Sequence, residues 1–445
     1  MKKRAAIPSW VPTLLFAALV FIAVQYASDR EIISRYWSQV IVFAAVTSIS
    51  ALGLNLIYGF NGQFSLGQVG FYAIGAYGSA LITKDFSKNP WSGDPIGALC
   101  WIMAAQIGIV LVLLAFQLLH IGDLNKSLRK TLSRTLKTHE ASMICTLVTL
   151  VASALILAAG YYATLGLHWV TYRLMSALFT ALPANAAKNV NFLLAILNGG
   201  TIAALVAYLV GLPLLRLGSD YFGIATLGFA IMVYTALQNS DLVIPTMKGA
   251  RGMVGIPLYT TWGWAFGALV VCIIVLRNLI RSSQGRAIIS VREDEIAARA
   301  MGVDVTRQKA VAFTFGALFA GIAGALYAHL YGFLHPSSFN TIKGFDPLII
   351  IVFGGLGSMT GTIMASVGFA LLIEGLRVVL PQGFEDWRFV IYPILLLIVM
   401  LLRPSGLMGT KEWGWLRAPL PPERDIPVPQ RALAAQQTHN HGEEA

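Results

Sequence analysis

Apolar runs about as long as a bilayer is thick recur from one end of the chain to the other, with polar residues gathered in the gaps. A transmembrane helix needs roughly 20 predominantly apolar residues. Runs of this kind lie near 11–26, 40–58, 66–82, 98–119, 142–160, 191–212, 221–238, 262–280, 310–331, 345–358, 361–380 and 388–402. The run 345–358 is short and ends at Gly354–Gly355, so it reads either as a span or as a re-entrant element. The run 66–82 is rich in small residues and equally ambiguous. The pattern predicts an all-α polytopic membrane protein of about 10–12 helices. Residues 1–410 form its membrane domain. After that the pattern changes, because Pro419, Pro421, Pro422, Pro427 and Pro429 break the chain repeatedly. Residues 411–445 are expected to be a disordered tail.

Charge sharpens this picture. Hydrophobic residues make up 56% and charged residues 12% of the 445 positions, against about 25% charged in soluble domains. A soluble enzyme, a disordered chain and a disulfide-built secreted domain fit poorly. The net charge of +11 does not call for nucleic acid, because the basic residues cluster between apolar runs as the positive-inside effect requires. With the basic start Lys2–Lys3–Arg4 inside, two basic loops fall on the same side. One is 120–141, with Lys126, Arg129, Lys130, Arg134 and Lys137; the other is 281–309, with Arg281, Arg286, Arg292, Arg299, Arg307 and Lys309. Both termini are then cytoplasmic. No small-x-small cleavage site follows the first run, which is read as an uncleaved helix.

Few polar side chains lie within the runs. Glu374 and Arg377 are three apart on one helix face and can pair. They read either as a satisfied pair near the outer helix end or as a transport or gating element. His329 reads as an interface residue or a proton relay. Cys100, Cys145 and Cys272 sit in apolar runs without metal-site spacing and read as buried thiols. There is no nucleotide-binding glycine-lysine loop, so any ATP drive must come from another chain. Ala317, Gly321 and Ala325, with Gly324 and Ala328 beside them, form a small-residue face that lets a second helix approach closely.

Three segments break the pattern. Gly59–Phe60–Asn61–Gly62–Gln63–Phe64–Ser65–Leu66–Gly67–Gln68 is polar and glycine-rich between two apolar runs. It reads as a surface turn or as irregular backbone beside a cavity. Gly354–Gly355–Leu356–Gly357–Ser358 is a tight break. The loop 281–309 has apolar contacts from Ile288, Val291 and Ile296 and polar positions at Arg292, Glu293, Asp294 and Arg299. It predicts a short helix ending at Gly302, with a docking surface.

The loop resembles the coupling loop of ABC importer permeases, with Glu295, Ala297, Ala298 and Gly302 loosely matching its pattern. Its wider context resembles the branched-chain amino acid permeases, LivM type. The strings that carry the likeness are GLNLIYGFNGQFSLGQVGFYAIGAY at 53–77, LPLLRLGSDYFGIATLGF at 212–229, GRAIISVREDEIAARAMGVDVTRQKAVAFTFGALFAGIAGALYA at 285–328, VFGGLGSMTGTI at 352–363 and RPSGLMG at 403–409.

The resemblance implies a non-catalytic transport subunit of a bacterial inner membrane. It implies a second homologous permease (LivH type), two ABC ATPase subunits that bind the ATP, and a periplasmic solute-binding protein. No cofactor is held by the chain itself. In that picture Glu295, Ala298 and Gly302 shape the coupling loop, and Arg286 and Arg292 help seat it. Asn61, Gln63, Ser65 and Gln68 would border the translocation path with Tyr221 and Thr226. The expected solute is small and polar or zwitterionic: leucine, isoleucine or valine first, urea or short amides next. A standalone secondary transporter or channel, or a non-transporting scaffold, are the readings from other classes. Two departures from the family plan stand out. Thr246–Gly252 replaces a threonine–glycine–glycine stretch, and about 90–190 reads as an insertion.

Overall fold

The computed structural model describes residues 10–84, 96–118, 138–215 and 219–379, and beyond these 394, 397–398, 401, 406–409 and 412–413. The basic N-terminus, most of the loop 120–141, most of the run 388–402 and the tail from 414 lie outside the described residues.

The described chain is helical. In order the helices are α1 (Trp10–Asp29), α2 (Arg35–Leu54), α3 (Gln68–Thr83), α4 (Gly97–Leu118), α5 (Thr138–Ala181), α6 (Ala184–Leu214), α7 (Ser219–Gln238), α8 (Trp262–Arg281), α9 (Ser283–Glu293), α10 (Glu295–Ala300), α11 (Val305–Tyr331), α12 (Thr341–Gly354) and α13 (Met359–Val379). One antiparallel ladder of two-residue strands, β1 (Met253–Val254) and β2 (Phe333–Leu334), ties the loop after α7 to the end of α11. Among the described residues, seven helical stretches are long and apolar enough to cross a bilayer.

Helix α11 is the axis of the bundle and packs against α2, α3 and α6. Its small-residue face does what the spacing predicts, but inside the chain. Ala317, Ala320, Ala323, Ala325 and Ala328 are fully buried. A Cβ on Gly75 of α3 would overlap the backbone of Gly321, and one on Gly321 would come within 2.6 Å of the Gly199 carbonyl of α6. Three backbones therefore meet where a methyl group does not fit. Around this trio α8 packs on α2 through Leu269, Cys272 and Leu276, and α13 packs on α2 through Ala365, Phe369 and Ile373.

Two expected spans come out short. Helix α3 has 16 residues and α12 has 14, about 24 and 21 Å at 1.5 Å per residue, against a hydrocarbon core of about 30 Å. Each begins or ends at a break inside the protein, at 55–67 and 354–359. The run 142–160 differs in the opposite sense. It belongs to one 44-residue helix, about 66 Å long. Isolated glycines at 160 and 166 cost only about 1 kcal/mol each, and the helix continues until Pro183 stops it. The half of α5 that packs on α4 is the later one. A Cβ on Gly108 would overlap Thr164, one on Gly160 would overlap Val112, and Trp101 stacks on His168 at 4.2 Å.

The crowding at Gly321 is directly testable. Gly321→Leu is expected to cost about 3 kcal/mol or more, because its neighbours are backbone and cannot move aside. Gly368→Ala, where a methyl meets nothing within 4 Å, should leave stability unchanged or slightly raised. Thermal unfolding of the detergent-purified variants, followed by size exclusion, checks both.

Candidate functional site

The segment 282–305 is built from three side-chain caps. Ser282 accepts from the Gly285 amide at 3.2 Å and starts α9. Asp294 accepts from the Ile296 and Ala297 amides at 2.8 and 3.0 Å and starts α10. Asp304 accepts from the Arg307 amide at 3.1 Å and starts α11. An N-cap oxygen satisfies amides that have no partner within the helix. The expected single helix is thus two helices, because the extended Asp294 interrupts the first and caps the second. Gly302 lies at φ +83°, the left-handed stop that the sequence predicts. Glu295 pairs with Arg299 at 3.0 Å and with Lys309 at 2.6 Å, tying α10 to α11. Ala298 is buried with Val291 and Val305. Ile288 and Val291 point inward, but Ile296 does not: it is 82% exposed, as Met301 is 85%. The two helices present an apolar knob to the outside.

This pair is seated on the breaks in the bundle. Arg292 Nη1 donates to the Gly59 carbonyl at 2.7 Å. The Arg292 stem lies over Gly62, where a Cβ would come within 3.2 Å of Arg292 Cγ. Arg286 does not reach the bundle in this way; it is exposed and donates to the Arg281 carbonyl at 3.1 Å.

Helix α2 widens into a π-helical turn over Asn55–Phe60. Asn55 is fully buried there. Its Nδ2 donates to the Ser358 carbonyl at 3.0 Å and to Thr362 Oγ1 at 2.9 Å, and its Oδ1 accepts from the Gly357 amide at 2.9 Å. One amide side chain joins the two breaks. Residues 406–409 and 412–413 close the second break. The Leu407 and Met408 amides donate to the Phe353 and Gly354 carbonyls at 2.8 and 3.2 Å, capping the C-terminus of α12. Glu412 accepts from the Met359 amide, from the Thr360 amide at 3.2 Å and from Thr360 Oγ1 at 2.6 Å. A carboxylate at a helix N-terminus is favoured both by the orphan amides and by the helix dipole. The domain boundary drawn after residue 410 is therefore too early, since Glu412 belongs to the membrane domain. Nothing in the spacing marks Asn55 or Glu412, whose partners lie 302 to 307 and 52 to 53 residues away in the chain.

The polar stretch 61–68 folds into the bundle. Asn61, Gln63, Ser65 and Gln68 are all buried. Asn61 Nδ2 donates to Gln63 Oε1 at 2.8 Å, and Gln68 Nε2 donates to the carbonyls of Ser50 and Gly316 at 3.1 and 3.2 Å. The Leu66 amide donates to Thr226 Oγ1 at 3.1 Å, so α7 and this stretch do meet. Tyr221 stands apart from them, 68% exposed. Asn61 Oδ1 and Gln68 Oε1 are buried without a hydrogen-bond partner.

Glu374 and Arg377 lie at the other end of the bundle, paired at 3.6 Å. Glu374 also accepts from the Tyr36 hydroxyl at 2.6 Å. His329 is fully buried, two residues from the end of α11. Its Nδ1 donates to the Ala325 carbonyl at 2.7 Å, which leaves Nε2 to accept from Thr83 Oγ1 at 2.6 Å. The departure at Thr246–Arg251 forms two 3₁₀ turns with Lys248 in the left-handed region between them.

The site is thus a short helix pair seated on the two breaks of a helical bundle. The family model described as branched-chain amino acid transport system, permease component, matches residues 36–118 and 140–400. The chain belongs to this family and is a multi-pass membrane protein. The match breaks only between 118 and 140, inside the stretch expected to be an insertion. It is 32% identical over 243 residues to the high-affinity branched-chain amino acid transport system permease protein LivM of Salmonella typhimurium, covering 47% of this chain and 55% of that protein. It is 27% identical over 205 residues to the corresponding LivH protein of Escherichia coli, covering 42% of this chain and 64% of the relative. A probable LivM of Methanocaldococcus jannaschii is 23% identical over 231 residues, covering 47% and 67%. The chain thus matches little more than half the length of its LivM relative from Salmonella. No solved structure matches.

Removing the amide that joins the breaks should weaken the whole junction. Asn55→Leu keeps the branched shape, loses three hydrogen bonds and strands the Gly357 amide, at an expected cost of about 2–4 kcal/mol. Lowered thermal stability in detergent, with faster proteolysis between residues 354 and 359, is the expected result.

Proposed function

We propose that this chain is a membrane-spanning permease subunit of an ATP-driven ABC importer for branched-chain amino acids. The observation that carries the reading is the seating of α9 and α10. A short helix pair with an exposed apolar knob is fastened by Arg292 to a carbonyl released by a break in a membrane helix. Such a pair transmits an external push to the bundle and has no evident purpose in a channel working alone.

In this reading the junction end faces the cytoplasm, as the basic loop 281–309 also favours. Both termini are cytoplasmic and the membrane is the bacterial inner membrane. Two ATPase subunits bind and hydrolyse the ATP, and Ile296 and Met301 are the contacts they grip. A second homologous permease of the LivH type completes the membrane part, and a periplasmic binding protein delivers the solute to the opposite end. When the ATPases move, α9 carries the displacement through Arg292 to Gly59. Asn55 carries it on to Gly357, Ser358 and α13. The chain supplies no chemistry. It supplies a linkage whose every member is a hydrogen bond to backbone that a break has exposed.

Uptake by proteoliposomes containing the chain with its companion permease, ATPases and binding protein tests this. Labelled leucine should accumulate only with ATP on the ATPase side. Accumulation of labelled urea in its place would move the substrate to the amide branch of the family. Flux through this chain alone, without ATP, would overturn the reading.

A further inference from the structure

At the end of the bundle opposite the coupling junction, α2, α3, α11, α12 and α13 enclose a cavity of about 210 Å³. A single buried water needs only about 10–15 Å³, so the space is on the scale of a solute. Glu374, on its rim, is 15 residues along α13 from Met359, about 22 Å from the junction at 1.5 Å per residue.

The lining carries charges of both signs on two different helices. Lys343 and Asp346 come from the first turns of α12, and Glu374 and Arg377 from the last turns of α13. Each helix pairs its own charges, at 3.5 Å for Lys343–Asp346 and 3.6 Å for Arg377–Glu374, and Glu374 also accepts from the Tyr36 hydroxyl at 2.6 Å. Both cations keep substantial exposure, 43% for Lys343 and 52% for Arg377, while the carboxylates are only 18% and 17% exposed. The rest of the wall mixes apolar side chains such as Phe43, Val69, Ile350 and Phe369 with the hydroxyl groups of Thr47 and Ser338. On the inner side the lining reaches Ser50 and Val69. Next to them Gln68 holds the Ser50 carbonyl with Nε2 and leaves Oε1 without a partner.

From this arrangement we infer that the cavity is a transient binding site for an aliphatic α-amino acid zwitterion. Arg377 and Lys343 take the carboxylate, Asp346 and Glu374 take the ammonium group, and the aliphatic side chain lies against Phe43, Ile350 and Phe369. A solute with one charge engages only the two groups of opposite sign and meets repulsion from the other two, which is costly beside the largely buried carboxylates. A zwitterion answers both. The site binds weakly, because a solute in transit must also leave. This inference deepens the importer reading and relies on it for direction of travel, but not for binding.

The test is equilibrium dialysis of labelled leucine against the detergent-purified full chain, with thermal unfolding as a second readout. Leucine at millimolar concentration should bind and raise the unfolding temperature. Leucinamide, which lacks the carboxylate, and isocaproate, which lacks the ammonium group, should do neither. Arg377→Met and Asp346→Asn should each weaken leucine binding by more than about tenfold, the loss of one hydrogen bond to a charged group. Arg377→Lys should restore part of it. If Arg377→Met fails to fold, the three-solute comparison on the unaltered chain still decides. No leucine binding, or equal binding of all three solutes, overturns the site. Leucine uptake by the full complex that persists unchanged in Arg377→Met and Asp346→Asn overturns the site and leaves the importer reading standing. Absence of leucine uptake by the unaltered complex overturns that reading whether or not the cavity binds leucine.

Discussion

A backbone amide or carbonyl released inside a bilayer has no water to turn to, and the bundle is organised around that constraint. The helices break at 55–67 and at 354–359, and each break exposes groups that something must satisfy. Asn55, Arg292, Thr226 and Glu412 do so, each from a part of the chain remote from the group it satisfies. The same bonds that make the breaks tolerable connect the helix pair α9–α10, the second break and residues 406–409 and 412–413 into one unit. Stability and mechanical linkage therefore come from one set of interactions.

The breaks contrast with the trio α3, α6 and α11. There the backbones touch through Gly75, Gly199 and Gly321, with no room for a methyl group. Packing of that kind is stiff, since interiors at crystal density deform little. The side of the molecule formed by α12 and α13 packs on α2 and is joined besides by hydrogen bonds across the breaks and by turns at Gly355 and Gly357, both at positive φ. A stiff trio beside a hinged pair gives the proposed drive something to move and something to move it against. The cavity lies between the two, with Val69 and Tyr327 from the trio facing Ile350 and Glu374 from the hinged pair.

Much of this was legible in the chain. Apolar periodicity located most of the helices, and the small-residue spacing on α11 marked a close approach that exists. Gly302 and the 281–309 pattern marked the helix pair, and Glu374 and Arg377 pair as their spacing allows. The failures share a physical cause. Run length alone cannot tell a span from a half-helix, so 66–82 and 345–358 stayed ambiguous between the two. It also cannot see that a helix without proline continues past the bilayer, so α5 read too short. Ile296 read as one apolar contact among three with Ile288 and Val291; it faces outward instead, because Asp294 starts a second helix. Asn55 and Glu412 were invisible because their roles exist only when two remote breaks come together. The tie from Arg292 to Gly59 was hidden for the same reason.

That tie is the point at which the proposed linkage between ATPases and membrane is thinnest. Leucine transported per ATP hydrolysed, measured in one proteoliposome preparation for the unaltered complex and for Arg292→Ala, addresses it most directly. Loss of a charged hydrogen bond to the Gly59 carbonyl is expected to lower that ratio by about tenfold or more, with ATP hydrolysis continuing and the complex intact. An unchanged ratio in a fully assembled Arg292→Ala complex would contradict the linkage.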